Sequence, residues 1–423
     1  MDCRIKVSCG LALAVAICTL LYLISAFLRR PSASDKAVKE MIARHRSIAD
    51  FKFFNAPLLP DRLRLRALPN ARLITAFDIR NSLTTTDEAE HKAFLRRAVN
   101  AMRAADTPTW HRVQKRAGKT LDMLTSRLYE ADKGGLGLER VARIVCFDAV
   151  LEILFPHTRA RLLDIDAADA ATSNINRLWL ESKKRQLDET SLQHVLKRLC
   201  VLLHHLLPGE DDTLALIIPA YETLWRVVLL TYVHVAFRYV DDQTRAQVRD
   251  VVKSVSEIGL GAPLSIDVNQ FAQEALRLYP PTKRIYRASD CGQVAADVEL
   301  LHHDERIWGS DALDFRPCRF QILTRRQTEA YIPFGAGGNS CPAASGFGRK
   351  MIVLLVVAMI KRLGTAELRT RIWFCDEELD GDDKAPLPTG RDKMGAWVIS
   401  VDPVPKTWRR VDIGRGNQLG IVR

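Results

Sequence analysis

The sequence predicts a mainly α protein with one N-terminal membrane helix. Three observations carry that reading: an uncharged apolar stretch over residues 7–28, apolar positions three and four apart through residues 121–129, 138–154 and 192–206, and punctuating clusters at 134–137, 208–209 and 259–263. The spacing is that of one helical face turned to a core, and the Gly/Pro clusters are the loops between such helices.

The N-terminal stretch comes first. Its 22 residues carry no charge, and at about 1.5 Å of rise each they make roughly 33 Å of helix, enough to cross a hydrocarbon core. A cleaved leader has a shorter apolar region ending in a small-x-small site, whereas this one runs into Phe27, Leu28, Arg29 and Arg30. Arg4 and Lys6 precede the stretch; Arg29, Arg30, Lys36 and Lys39 follow it. The excess of positive charge after the span places the bulk of the chain in the cytosol.

The remainder, residues 31–423, reads as one large domain behind an anchor at 1–30. At 423 residues, 47% hydrophobic and 26% charged, the chain has the composition of a globular protein with a sizeable core, and no repeat or low-complexity linker divides it. Its cysteines, at positions 3, 9, 18, 146, 200, 291, 318, 341 and 375, form no C-x-x-C pair. That excludes a zinc ribbon and gives no disulfide framework, which fits a reducing compartment. The net charge of +12 lacks the basic runs with interleaved aromatics of a nucleic-acid surface, so no nucleic acid is expected; a basic face for a membrane or redox partner is.

Residues 217–240 are strongly apolar but contain Glu222, Arg226 and Arg238. Charges are costly in a bilayer, so a long buried helix is expected here and not a second span. Pro219 removes one N–H from that helix and predicts a local kink. Glu222 and Thr223 put a carboxylate and a hydroxyl side by side; the plain alternative is a salt-bridged Glu beside a capped Thr. Further on, Glu274 and Arg277 stand three residues apart on one helical face, where they can form a bidentate pair.

The sharpest segment is Pro333-Phe334-Gly335-Ala336-Gly337-Gly338-Asn339-Ser340-Cys341-Pro342-Ala343, followed by the helical run 347–363. Three glycines ahead of a cysteine let the backbone pass close to a flat ligand. A metal cation and nearby backbone N–H groups lower a thiol's pKa and favour the thiolate, which ligates iron. The other reading is a Gly-rich turn whose cysteine merely packs.

Phe334, Gly337 and Cys341 match F-x-x-G-x-x-x-C, and the chain here resembles the cytochrome P450 family. Glu274-Ala275-Leu276-Arg277 with Leu278-Tyr279-Pro280-Pro281 is similar to that family's E-x-x-R segment, Phe315 to Phe320 to its later P-x-R-F segment, and Pro219 to Thr223 to its distal helix. The order is the family's. Residues 219–227 and 280–287 look most like filamentous-fungal members.

The resemblance implies a mainly α fold with small β-sheets and haem held through the Cys341 thiolate. It implies a buried cluster of Glu274, Arg277 and Arg319, proton delivery to the oxygen site by Thr223 and Glu222, and Tyr221 in the substrate pocket. Arg287, His91 and Arg96 stand where relatives hold haem propionates. The activity implied is insertion of one atom of O2 into an apolar small molecule, with electrons from an NADPH-cytochrome P450 reductase on the endoplasmic reticulum membrane, in a setting of secondary metabolism. A haem-thiolate isomerase, a peroxide-driven catalyst and an inactive membrane scaffold are the other readings.

The chain also departs from the family pattern. Ala343 replaces a glycine, Asn339 the common Arg or His before the cysteine, and Pro219 an Ala or Gly, while Trp-x-x-x-Arg is absent around His91. The chain is shorter than family members usually are, compressed before the distal helix and between E-x-x-R and the cysteine.

Overall fold

A computed structural model describes residues 33–130, 135–158, 162–184, 188–257, 264–290 and 292–401. The expected anchor at 7–28 lies outside the described residues. The chain divides into two compact units, residues 1–44 and 45–423, and the second carries the core and the candidate site.

Helices dominate. In chain order they are α1 (Ala33–Ala49), α2 (Leu59–Phe77), α3 (Glu88–Ala104), α4 (Thr107–Glu130), α5 (Leu138–Leu154), α6 (Ile165–Glu181), α7 (Glu189–Leu206), α8 (Thr213–Tyr221), α9 (Leu224–Phe237), α10 (Asp242–Glu257), α11 (Ile266–Leu278), α12 (Val298–His303), α13 (Glu305–Trp308), α14 (Arg325–Ala330), α15 (Phe347–Leu363) and α16 (Glu377–Gly381). Short polar side chains start many of them. Asp87 accepts from the Glu90 N–H, Asp188 from Ser191 and Ser265 from Val268, satisfying N–H groups that have no partner inside the helix.

The strands are β1 (Leu136–Gly137), β2 (Arg284–Ser289), β3 (Gly292–Asp297), β4 (Thr370–Trp373) and β5 (Val398–Val401). β2 and β3 form an antiparallel pair running from Arg284 opposite Asp297 to Ser289 opposite Gly292. β5 lies between β1 and β4, also antiparallel, with Ile399 facing both Leu136 and Ile372.

The core is built on α5, α9 and α15, which pack on one another through α9 and, via α4, around its edge. From Val141 to Ile153 every residue of α5 is buried, and so is α9 from Leu224 to His234. A helix apolar on all sides belongs in the middle of a large protein. Among the described residues the stretch Thr213–Phe237 alone is long and apolar enough to cross a membrane, and 72% of its most apolar window is covered by protein.

That stretch differs from the expected single helix. It is two helices, with α8 ending at Tyr221 and α9 starting at Leu224, so Glu222 and Thr223 sit in the break. Pro219 has no N–H to give to the carbonyl of Ala215. The buried Asn81 supplies one instead, its Nδ2 donating to that oxygen at 3.0 Å. The backbone survives the proline and turns three residues later.

Candidate haem-thiolate site

Glu274 and Arg277 occupy the last turns of α11. Arg277 donates through Nε to Glu274 Oε2 and through Nη2 to Oε1, both at 2.8 Å, and neither side chain touches solvent. The short helix Pro317–Gln321 brings Arg319 Nε to Glu274 Oε1 at 3.0 Å, and the Arg316 N–H donates to the same oxygen at 2.9 Å. Arg277 also donates to the carbonyls of His302 and Ala312, at 2.8 and 2.6 Å, and stacks on Trp308. A buried charge is tolerated only when paired and hydrogen-bonded, and this one is.

The cluster reaches the cysteine loop through His302. Its Nδ1 meets the Arg277 carbonyl at 3.1 Å, its Nε2 accepts from the Ile332 N–H at 3.1 Å, and its ring stacks on Tyr331. Because Nε2 accepts, Nδ1 carries the proton and donates to the carbonyl. Burial, with Arg277 beside it, lowers the imidazole to about 3, so it stays neutral. Neither His302 nor Asp311, whose backbone oxygen takes Arg319 Nη2 at 2.9 Å, was singled out by sequence reasoning. Both are ordinary polar residues until the fold brings them to the pair.

Ile332 leads into the loop. Gly335 and Gly337 have φ of +87° and +65°, a region that favours glycine, and a Cβ on Gly337 would come within 3.1 Å of the Asp50 side chain. Phe334 lies so close to Gly348 that a Cβ there would meet its ring at 3.0 Å. The Cys341 N–H donates to the Phe334 carbonyl at 2.9 Å and closes the loop. The helix α15 occupies the expected run 347–363, and a 3-10 turn, Pro342–Ser345, joins it to the cysteine.

Cys341 is exposed on one side. Crowding on the other raises its thiol above the ordinary range, and the Ala343 N–H pulls the opposite way. A bound metal cation reverses that balance.

His91, on α3, is buried and takes both Arg66 Nη2 at 3.2 Å and Ser82 Oγ at 3.0 Å on Nδ1. A guanidinium only donates, so Nδ1 accepts and the proton sits on Nε2. Burial first, then Arg66 and Lys92, lower the His91 pKa. Arg287, on β2, stacks on Phe51 with its Cζ 4.1 Å from the ring centroid and donates to the Ala49 carbonyl at 3.1 Å. Burial lowers Arg66 to about 10 and Arg287 to about 9. Among the described residues neither guanidinium meets a carboxylate, and the Nε of each is buried without a partner. Arg66 is a residue that sequence reasoning missed, being one of several arginines on α2. Arg96 is exposed on α3, away from this group's hydrogen bonds.

Glu222 is buried and ion-paired with Arg391, which also donates to the Glu222 carbonyl at 3.1 Å. Thr223 is half-buried, its Oγ1 a long 3.5 Å from the Pro219 carbonyl. Tyr221 is buried against Phe147. The structure thus gives Glu222 an internal cationic partner where the sequence suggested a relay from solvent.

Residues 268–369, which carry Glu274, Arg277, Arg319, Phe334, Gly337 and Cys341, match the family model described as cytochrome P450. Over this segment the chain is similar to the cytochrome P450 family. Cytochrome P450 72A68 of Medicago truncatula is 31% identical over 207 residues, 42% of this chain and 36% of the relative. Cytochrome P450 CYP749A22 of Panax ginseng is 40% identical over 90 residues, 18% of this chain and 17% of the relative. The matched stretches span less than half the length of these curated relatives. Among solved structures, cytochrome P450SP alpha (CYP152B1) in complex with (R)-ibuprophen aligns with a TM-score of 0.50 at 15% identity, covering 80% of this chain and 85% of that one, a likeness of fold.

Members of the cytochrome P450 family bind haem. The residues present here suit that group: an exposed sulfur on a loop held open by glycines, and two guanidiniums with no carboxylate that match the two propionates of a porphyrin.

Proposed function

We propose that this chain is a haem-thiolate monooxygenase acting on an apolar small molecule. The observation that carries the reading is the presentation of Cys341: an exposed sulfur on the glycine loop that Phe334, Gly348 and the Glu274–Arg277–His302 chain hold in place. Haem supplies the oxygen-activating redox chemistry when bound. The protein supplies the rest. Cys341 would supply the thiolate that holds the iron, Arg66, Arg287 and the Nε2–H of His91 would meet the propionates, and Arg96 is a further candidate on the same helix as His91. Phe334 and Gly337 shape the loop under the ring.

Thr223 sits in the α8–α9 break, where its hydroxyl would hand on a proton, with Glu222 beside it as the carboxylate of that path. The Arg391 ion pair orients Glu222, a positioning role for Arg391. The oxidation draws on O2 and on electrons from an NADPH-cytochrome P450 reductase. An anchor at residues 7–28 would place both proteins on the endoplasmic reticulum membrane with this domain in the cytosol. Secondary metabolism as the setting rests only on the resemblance read from residues 219–227 and 280–287, whereas the Medicago truncatula and Panax ginseng relatives are plant proteins.

The test is spectroscopic. Full-length protein made with haem supply, reduced and exposed to carbon monoxide, is expected to show the red-shifted Soret band of a thiolate-ligated ferrous haem, and Cys341→Ala to lose it. A wild-type chain without that band sinks the reading in favour of a scaffold. NADPH-dependent turnover that requires the reductase separates the monooxygenase from an isomerase or peroxide-driven catalyst.

A further inference from the structure

A second group of cations surrounds Trp179, at the end of α6. Arg391 and Arg72 stand with their Cζ atoms 4.9 and 4.6 Å from its ring centroid, and Lys183 Nζ 5.7 Å away. Arg391 also lies 5.7 Å from Trp225, two residues past Thr223. Arg226, the next residue, donates to the carbonyls of Thr389 and Pro281 at 3.0 and 3.1 Å. Lys283 completes the group.

Charge is not balanced here. Arg391 has Glu222, and Lys283 has Glu299 at 3.2 Å. Among the described residues Arg72 and Lys183 meet no carboxylate, Arg72 donating to Ser182 Oγ, whereas Arg226 donates to its two carbonyls and feels the charge of Glu299. Unpaired cations that share a partly buried space repel one another and lose hydration. Lys183 shows the effect: partial burial, then Arg391, Arg72, Arg226 and Lys283, lower its ammonium to about 8.

Donors are also left over. Trp179 Nε1, Trp225 Nε1, Arg226 Nε and the Tyr221 hydroxyl are buried without a hydrogen-bond partner. Indole and guanidinium nitrogens offer hydrogens only, so what completes them is an acceptor. Surplus positive charge and surplus donors in one place both call for an anion with oxygen acceptors.

We propose that the substrate carries a carboxylate, and that Arg72 and Lys183 hold it beside Trp179. This assignment rests on the haem-thiolate reading and narrows its substrate to an apolar molecule with an acidic end. Trp225 and Arg391 connect the anion site to the Glu222–Thr223 break, so the acid end fixes which part of the apolar body faces Thr223. The carboxylate takes no part in the reaction.

The experiment compares dodecanoate with its methyl ester on the full-length, haem-loaded protein at low ionic strength, reading the Soret shift on titration. Dodecanoate is expected to bind at least about tenfold more tightly, and Lys183→Gln and Arg72→Gln each to erase most of that preference. Lys183 lies at the solvent edge of the group, so its variant tests the site without threatening the fold. Equal affinity for acid and ester in the wild type overturns the proposal. So does a preference that survives both substitutions, or loss of haem from either variant, which would assign the cations to the propionates. Indole fluorescence reads the site without haem: quenching by dodecanoate and not by the ester, lost in Trp179→Phe, supports the anion site even where the carbon monoxide band is absent, and no difference between the two ligands counts against it.

Discussion

Arg277 donates two hydrogen bonds to Glu274, one to each carboxylate oxygen and both at 2.8 Å, and the pair is sealed from water. Arg316, Arg319 and His302 attach to one or other of these two residues, and Asp311 joins through Arg319. The haem-loop geometry depends on them through the His302 bridge.

Glu274→Ala leaves the Arg277 guanidinium buried without its carboxylate, and a loss of about 3–5 kcal/mol is expected. Arg319→Ala is milder, about 1–3 kcal/mol, because Arg277 still neutralises Glu274 and the Arg319 side chain keeps some contact with solvent. Thermal unfolding by circular dichroism ranks the two, and the reverse order would contradict the described network.

Arg66→Ala and Arg287→Ala each remove one unpaired guanidinium from the expected propionate side. Haem should then dissociate about tenfold faster or more, the scale of one charge-assisted hydrogen bond. Transfer of haem to excess apomyoglobin measures the rate, and unchanged rates in both variants would move the propionate contacts elsewhere.

Acid sensitivity follows from the buried histidines. His234, whose Nδ1 meets the Tyr279 hydroxyl at 2.5 Å, and His302 are each lowered to about 3, chiefly by burial. Below the ordinary histidine range the unfolded chain takes up protons that the folded chain refuses, so stability falls as pH drops from about 6.5 towards 3. Each histidine contributes about 2 kcal/mol of that loss by pH 5. Urea midpoints from pH 7 to 5 should fall steeply in the wild type and less steeply in His302→Asn; parallel slopes would assign the sensitivity to other groups.

Thr223→Ala is expected to leave folding nearly unchanged, because a 3.5 Å contact to the Pro219 carbonyl is at the limit of a hydrogen bond. Haem binding should persist while oxygen consumption runs ahead of product. Simultaneous oxygen-electrode and product assays check this, and unaltered coupling removes Thr223 from the proton path.

The pieces that rest on local order were legible in the chain. Glu274 and Arg277 face each other because three residues on a helix is nearly one turn, and Cys341 with its glycines is a contiguous segment whose backbone needs are written in its residue types. Arg319 was readable from its place in a short local pattern. The kink that Pro219 predicts is close to the observed break at Glu222–Thr223, while the partner of the carbonyl that the proline leaves free, Asn81, lies more than a hundred residues earlier and was not legible.

What the sequence by itself determined is therefore the iron-ligating candidate, the helix-borne charge pair and the helical character, each set by interactions within a few residues. Only the tertiary structure decided which charges meet. Arg66 joins His91, His302 joins the cluster to the loop, Arg391 takes Glu222, and Arg72, Lys183 and Arg391 converge on Trp179. Along the chain each looks like one more polar residue on a helix or loop. The value of a charge depends on its burial and its partners, and packing of distant segments sets both.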